Sequence, residues 1–498
     1  MSIQNFSYRR YLFFLVYLFL LFFFCSMLSP LYGYSMWIDV NIYHIIGNGI
    51  FNDKVIYRDL FDHKGPYIFF LYGLGSLFSS SSFYGIFLIE LFLFSICLSF
   101  VYKIFRLFLT EKLSLLCSVL FPLFYFLYSG LGGAAEDFVL IAEVISLYYV
   151  LVYFIDKNII HRPAFMIVHG VMIGFVLLLK LNLVVFWFFP LLYIFLSLIK
   201  HRKYKNLLYN ILSLFIGILI SFLPVLIYFG YNNAFSDFFE GYIHFNFLYG
   251  NQMSDSILSL FVSNLKSLKL FDIIVLIAYF LGIIYLFFKN SLEKRTGLIF
   301  LVLSFIAEFL SFLVAFYLFD YYWIVFVVFS VFPMIAFVRL FEKRLVIFSY
   351  FKLTVVLCCI VSIVLCCFKT RLFGYSFDNI VKREFPNKEI DVFSEILDKD
   401  KNATLLCLGF DKTLSIYTIR DMVPNVRFFF LPNIKIETYP LIYDEQIKYI
   451  REKRTDYLVI DDYFRYYNAY INIVKENYEP VASYPNHVGT SVRLYKKK

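Results

Sequence analysis

Residues 207–229 read LLYNILSLFIGILISFLPVLIYF, a run without one charged side chain, preceded by KHRKYK at 200–205 and followed by YNN at 231–233. A helix of ~20 apolar residues crosses the hydrocarbon core of a bilayer with every backbone N–H and C=O bonded internally, and this run is long enough to do so. Working outward, runs of the same kind lie near residues 11–29, 83–108, 113–129, 137–155, 164–180, 182–199, 270–288, 297–318, 322–338 and 345–367. The pattern predicts a polytopic α-helical membrane protein with about eleven spans. Composition agrees, since 61% of the 498 residues are hydrophobic and only 16% charged, a balance no soluble domain of this size carries.

The formal net charge of +9 does not point to a nucleic acid, because the basic residues fall in short clusters between the apolar runs and in the last quarter of the chain. One set of alternate loops holds seventeen Lys and Arg, among them YRR at 8–10, KHRKYK at 200–205 and KNSLEKR at 289–295; the other set holds six. The positive-inside rule then puts the N-terminus in the cytoplasm and the region after Phe368 outside. The first run is long, aromatic and without a small-residue cleavage site, so it reads as an uncleaved span. Seven of the eight cysteines lie inside apolar runs, which leaves no disulfide framework and no zinc spacing.

Residues 368–498 change character. NATLLCLGF (402–410), VRFFFLP (426–432) and DYLVIDDY (456–463) read as strands, and YDEQIKYIREK (443–453) as a helix, predicting a small extracytoplasmic α/β domain. The membrane part, 1–367, carries two long outward loops, 30–82 and 230–269, whose aromatic content suits segments lying at the membrane interface.

The first of these loops holds WIDVNIYHIIGNGIFNDKVIYRDLFDHKGPY at 37–67. Asp39 has Tyr43 at i+4, so a helix here puts both on one face; the carboxylate is either a general base or an N-cap for the helix that follows. Further on, Arg58, His63 and Lys64 crowd against Asp59 and Asp62. Lys64 before Gly65-Pro66 suits anion capture, because proline restricts the turn, glycine lets a ligand approach and the ammonium is a point charge for phosphate. The bland alternative is a lysine reaching for the lipid headgroups. Glu136 and Asp137, in GLGGAAED at 130–137, are either functional acids or charges favoured at a helix N-terminus. Lys180, in LLLKLNL at 177–183, either snorkels or faces a phosphate. His63 and His244 have no metal-ligand spacing.

The Y-R-D-x-F-D-H-K-G-P pattern at 57–66, with an acidic residue upstream, resembles the first outer loop of GT-C superfamily glycosyltransferases. The branch concerned includes protein O-mannosyltransferases, the aminoarabinose transferase of lipid A and bacterial cell-surface sugar transferases. The resemblance extends more loosely to GGAAEDFVL at 132–140, LLLKLNLVVFW at 177–187 and FDYYWIVFVVFSVFP at 319–333. It implies transfer of a sugar, with inversion, from a polyprenyl-phosphate donor to a hydroxyl of a cell-surface glycan or lipid acceptor. In that scheme Asp39 is the catalytic base, Tyr43 matches the family's tyrosine four residues on, and Lys64 meets the lipid-linked phosphate. Arg58, Asp62, His63, Glu136, Asp137 and Lys180 join as substrate-binding residues. The chain departs from the pattern at Val40, where the family often has a second acid; valine neither ligates a metal nor shares a proton, so the residues do not support a divalent metal there and no cofactor is assigned. The rival reading is a transporter or flippase of lipid-linked saccharides. The absence of an internal repeat and the gathering of acids and Lys64 at one outer face speak against it.

Overall fold

The computed structural model describes residues 8–33, 35, 37–128, 132–251, 257–289, 292–315, 318–341, 350–370, 388–400, 402–409, 411–485 and 489–498. In chain order its first helices are α1 (Tyr8–Cys25), α2 (Ile38–Ile50), α3 (Pro66–Ser76), α4 (Tyr84–Phe108), α5 (Glu111–Tyr128) and α6 (Ala135–Ile155). Next come α7 (Pro163–Leu177), α8 (Val185–Lys200), α9 (Tyr204–Tyr231), α10 (Phe235–Phe238), α11 (Phe245–Asn251) and α12 (Ile257–Ser267). α13 (Leu270–Phe288), α14 (Gly297–Leu313), α15 (Val331–Phe341) and α16 (Phe351–Thr370) follow. Tight 3-10 stretches, Leu181–Val184 and Asp320–Ser330, lead into α8 and α15.

Among the described residues nine helical stretches are long and apolar enough to cross a membrane, and α7 and α14 are shorter apolar helices at two of the remaining predicted runs. The fold is therefore the polytopic helical one that the hydropathy predicted. Pro122, Pro190 and Pro224 lie inside α5, α8 and α9, where a soluble helix would tolerate them poorly.

By contact the chain forms two compact units. The first comprises Met1–Ser26, Glu90–Leu226 and Asp255–Phe373; the second comprises Met27–Ile89, Ile227–Ser254 and Gly374–Lys498. In the first unit α16 packs on α1 and α5, α8 on α14, and α6 on the 3-10 stretch before α15. Its aromatic core is typified by Phe22, whose ring meets Phe94, Tyr125 and Phe126. Leu219 and Leu223 of α9 and Leu357 and Leu365 of α16 stay exposed, as side chains facing lipid tails would.

The second unit joins the first long loop and the second up to residue 254 to the C-terminal region. Its sheet has the order β1-β2-β4-β3, with β1 (Leu405–Leu408) parallel to β2 (Tyr457–Asp461), and β4 (Ser491–Lys497) antiparallel to both β2 and β3 (Tyr478–Pro485). Helices α17 (Lys388–Leu397), α18 (Ser415–Ile419), α19 (Leu441–Arg451) and α20 (Tyr467–Asn477) accompany it. One predicted strand is corrected. VRFFFLP at 426–432 forms no ladder: the Cys407 N–H donates to the Phe429 carbonyl, and the Gln446 side-chain amide holds the carbonyls of Phe428 and Phe430. Those side-chain bonds satisfy backbone groups that a strand would have used, while the three phenylalanines stay buried.

Candidate active site

In the second unit α2 and α3 form a hairpin that touches through glycine. A Cβ on Gly47 would lie 2.5 Å from the Gly73 nitrogen and 2.9 Å from the Phe69 carbonyl oxygen, so only glycine permits this approach. The Tyr43 ring packs edge-on against Phe69 and Tyr72 in the same seam. Asp39 and Lys64 precede this contact, one on each arm.

Asp39 is half-buried at the second helical position of α2, whose N-cap is Trp37 and has no side-chain cap bond. The backbone at this helix start is tied instead by Asn41, whose amide donates to the carbonyls of Ser35 and Trp37 at 2.8 Å. Asp39 thus does not occupy the capping position that was its bland alternative, and it stands one turn before Tyr43.

The Lys64 arm is knit by its own residues. Tyr57, held in the left-handed region at φ 66°, donates its hydroxyl to the Lys64 carbonyl at 2.6 Å and stacks its ring on Phe229. The buried Asp62 carboxylate accepts the Lys64 N–H at 3.3 Å and lies 3.2 Å from His63 Nδ1; His63 Nε2 is 3.4 Å from the Lys64 ammonium. Burial alone would push the Asp62 carboxyl up, but His63 and Lys64 beside it outweigh burial and hold it below the usual carboxylate range. The second long loop packs against this turn: Asn246 donates to the His63 carbonyl at 2.6 Å, and Tyr249 stacks on the imidazole at 5.0 Å. Gly65 is the N-cap of α3 and Pro66 its first residue, so the cationic residue Lys64 immediately precedes a helix start. Arg58 points elsewhere, donating to the Asn232 carbonyl at 2.9 Å with Asp59 alongside. His244 pairs with Glu240 at 2.9 Å in the π-helical turn Phe239–His244.

The first unit gathers a separate group. Gly132 and Gly133 both take positive φ, and the Gly133 N–H donates to Glu90 Oε1 at 3.0 Å, which also accepts the Tyr125 hydroxyl at 3.2 Å. Asp137 accepts the Ala134 N–H at 2.7 Å and so closes the start of α6, whereas Glu136 pairs with Lys180. The Lys180 ammonium also sits 3.7 Å from the centre of the Tyr322 ring. The two adjacent acids therefore divide their work, one capping and one holding a cation.

Glu90 was not singled out from the sequence, nor were Glu143 and Glu308, which are buried in α6 and α14. The signal was there, since a lone acid inside an apolar run marks a functional or structural commitment. Among the described residues no group of three or more His, Cys, Asp or Glu is placed to hold a metal ion.

An apolar helical bundle with a hairpin bearing an acid and a lysine, together with a small C-terminal α/β sheet, defines the class: this chain has a polytopic helical membrane fold of the GT-C type. Residues 63–228 match the family model described as dolichyl-phosphate-mannose-protein mannosyltransferase, a match that begins at His63, takes in Lys64 and leaves Asp39 outside it. The chain is similar in structure to ArnT from Cupriavidus metallidurans in the apo state, at 13% identity over 97% of each chain and a TM-score of 0.62. It is also similar to the same ArnT bound to undecaprenyl phosphate, at 12% identity over 98% of each chain and a TM-score of 0.61. No curated protein matches the chain by sequence.

Proposed function

We propose that this chain transfers a sugar from a polyprenyl-phosphate donor to a hydroxyl of a cell-surface acceptor, a wall polysaccharide, teichoic acid or glycolipid, at the outer face of the cell membrane. The N-terminus is cytoplasmic in this reading and the C-terminal domain, 368–498, lies outside. The acceptor oxygen attacks the anomeric carbon as the bond from that carbon to the phosphate oxygen breaks, which inverts the centre. Asp39 takes the acceptor's proton, and the electron pair leaves with the lipid phosphate. Lys64 offsets the charge that grows there, a task for which a preoriented cation is worth more than a mobile one. Asp62 and His63 keep that cation in place. Substrate binding is assigned to Tyr43, Glu136 and Lys180, and also to Arg58 and Asp137 beyond the bonds they make to the Asn232 carbonyl and the Ala134 N–H. No metal is assigned, because Val40 offers no oxygen beside Asp39.

The observation that carries this reading is the turn before α3, where the buried Asp62 carboxylate holds the Lys64 backbone N–H and lies beside His63, directly ahead of the Gly65-Pro66 helix start. The ArnT of the same fold that holds undecaprenyl phosphate supports a lipid phosphate as its ligand. The test uses the full chain in nanodiscs with radiolabelled undecaprenyl-phosphate glucose or mannose and extracted wall polymer. Asp39→Asn is expected to lose about 10²-fold or more in transfer, the scale of a general base, while still binding donor lipid. Lys64→Met is expected to weaken donor binding as well. Full transfer by a folded Asp39→Asn would end the assignment of the base, and movement of donor across the bilayer without transfer would favour the flippase.

A further inference from the structure

The C-terminal domain has no part in the chemistry above, yet one of its residues grips the outer hairpin. Asp421 follows α18, which packs on α2, and its backbone sits in the left-handed region at φ 52°, a conformation costly for most L-residues but tolerated by Asp. The turn is closed by the Asp421 N–H to the Thr418 carbonyl and the Met422 N–H to the Tyr417 carbonyl. Both carboxylate oxygens then face the hairpin. Oδ1 accepts from Asn48 Nδ2 of α2 at 3.1 Å, and Oδ2 accepts from the hydroxyl of Ser80, just beyond α3, at 2.8 Å. The Ser80 carbonyl lies 2.8 Å from His44 Nε2 of α2, so the same serine ties the two arms together.

We propose that Asp421 is a positioning residue: its carboxylate clamps both arms of the α2–α3 hairpin and thereby fixes the relation between Asp39 and Lys64. Two further contacts of the domain work in the same sense. The Thr418 hydroxyl reaches Asn41 Oδ1 at 3.5 Å, beside the helix start that carries Asp39. On the other arm the Phe61 N–H donates to the Arg427 carbonyl at 3.1 Å, and the Phe61 ring lies among Phe245, Phe428 and Tyr439. A carboxylate accepting two bonds makes a stronger clamp than neutral groups would, because charge-assisted bonds are roughly twice as strong.

The inference rests on the proposed transfer for its consequence, but not for its test. Asp421→Gly removes the carboxylate while suiting the backbone better than the native residue does, and Asp421→Asn keeps an acceptor oxygen and the tolerated turn. Hydrogen exchange of the full chain in nanodiscs is read alongside kcat and KM with radiolabelled undecaprenyl-phosphate glucose or mannose. Asp421→Gly is expected to raise exchange about tenfold across 38–50 and 77–83 with the sheet unchanged, and to lower kcat about tenfold with donor KM within about twofold. Asp421→Asn should recover most of both. Ser80→Ala, which leaves the Asp421 backbone alone, should move exchange in the same direction by less. Native exchange over 38–50 in a folded Asp421→Gly overturns the clamp. If the unmodified chain transfers neither hexose, the proposed function fails, and the exchange comparison still decides on Asp421.

Discussion

Gly47→Ala tests whether the hairpin's close approach matters. The new Cβ would meet the Gly73 nitrogen at 2.5 Å, the Tyr72 carbonyl carbon at 2.8 Å and the Phe69 carbonyl oxygen at 2.9 Å, all backbone atoms that cannot rotate aside. Ordinary contact begins near 3.4 Å, so α2 and α3 must part by about 1 Å. Overpacking of this kind costs about 1–3 kcal/mol, and backbone against backbone belongs at the upper end. Alanine returns about 1 kcal/mol in helix propensity, which leaves a net loss of about 2 kcal/mol. Read as hydrogen exchange over 38–50 and 66–76, that is about 30-fold faster exchange. Transfer should fall further, since a displacement of about 1 Å between Asp39 and Lys64 can cost about 10²-fold. Gly250→Ala is the control: none of the described residues lies within 4 Å of a Cβ there, and exchange and activity should stay native. Native exchange in Gly47→Ala would refute the seam as drawn.

Two further outcomes follow from the charged groups. Lys180→Met leaves Glu136, only 2% exposed, without its cation and should destabilise the first unit by ~3 kcal/mol, whereas the double change with Glu136→Gln should restore most of the thermal midpoint in detergent. Equal midpoints for the single and double variants would show that the pair carries no coupling. Asp62 has a native pKa held below its ordinary value, so its stabilisation of the Lys64 turn is fully present above pH ~4 and is lost as the pH falls through the lowered native value. Exchange of the Lys64 and Gly65 amides should therefore accelerate only below about pH 4, and Asp62→Asn should abolish that dependence; the same dependence surviving in Asp62→Asn would refute the assignment to Asp62.

The membrane part was legible because a span leaves a one-dimensional signal. LLYNILSLFIGILISFLPVLIYF has no conformation in lipid other than a helix, and it lies within α9. The Lys64 turn was legible for a similar reason, since Gly65-Pro66 restricts its own backbone and heads α3. The small domain was harder. VRFFFLP has strand composition, but whether its carbonyls meet a strand or the Gln446 amide depends on a residue over a dozen positions away. Strands β3 and β4 were missed because Pro480, Pro485, Arg493 and Lys496 break the apolar alternation; in β3, an edge of the sheet, prolines also discourage pairing with other chains. Glu136 and Asp137 could not be told apart by sequence, because both suit a helix start; the partner decides, and Lys180 is remote in the chain. Asp421 lies at the far end of that scale. No local pattern announces it, for its meaning comes entirely from Asn48 and Ser80, which stand more than three hundred residues earlier. A side chain whose role is to hold two other segments leaves no periodicity and no motif, so such residues emerge only once the chain has been folded.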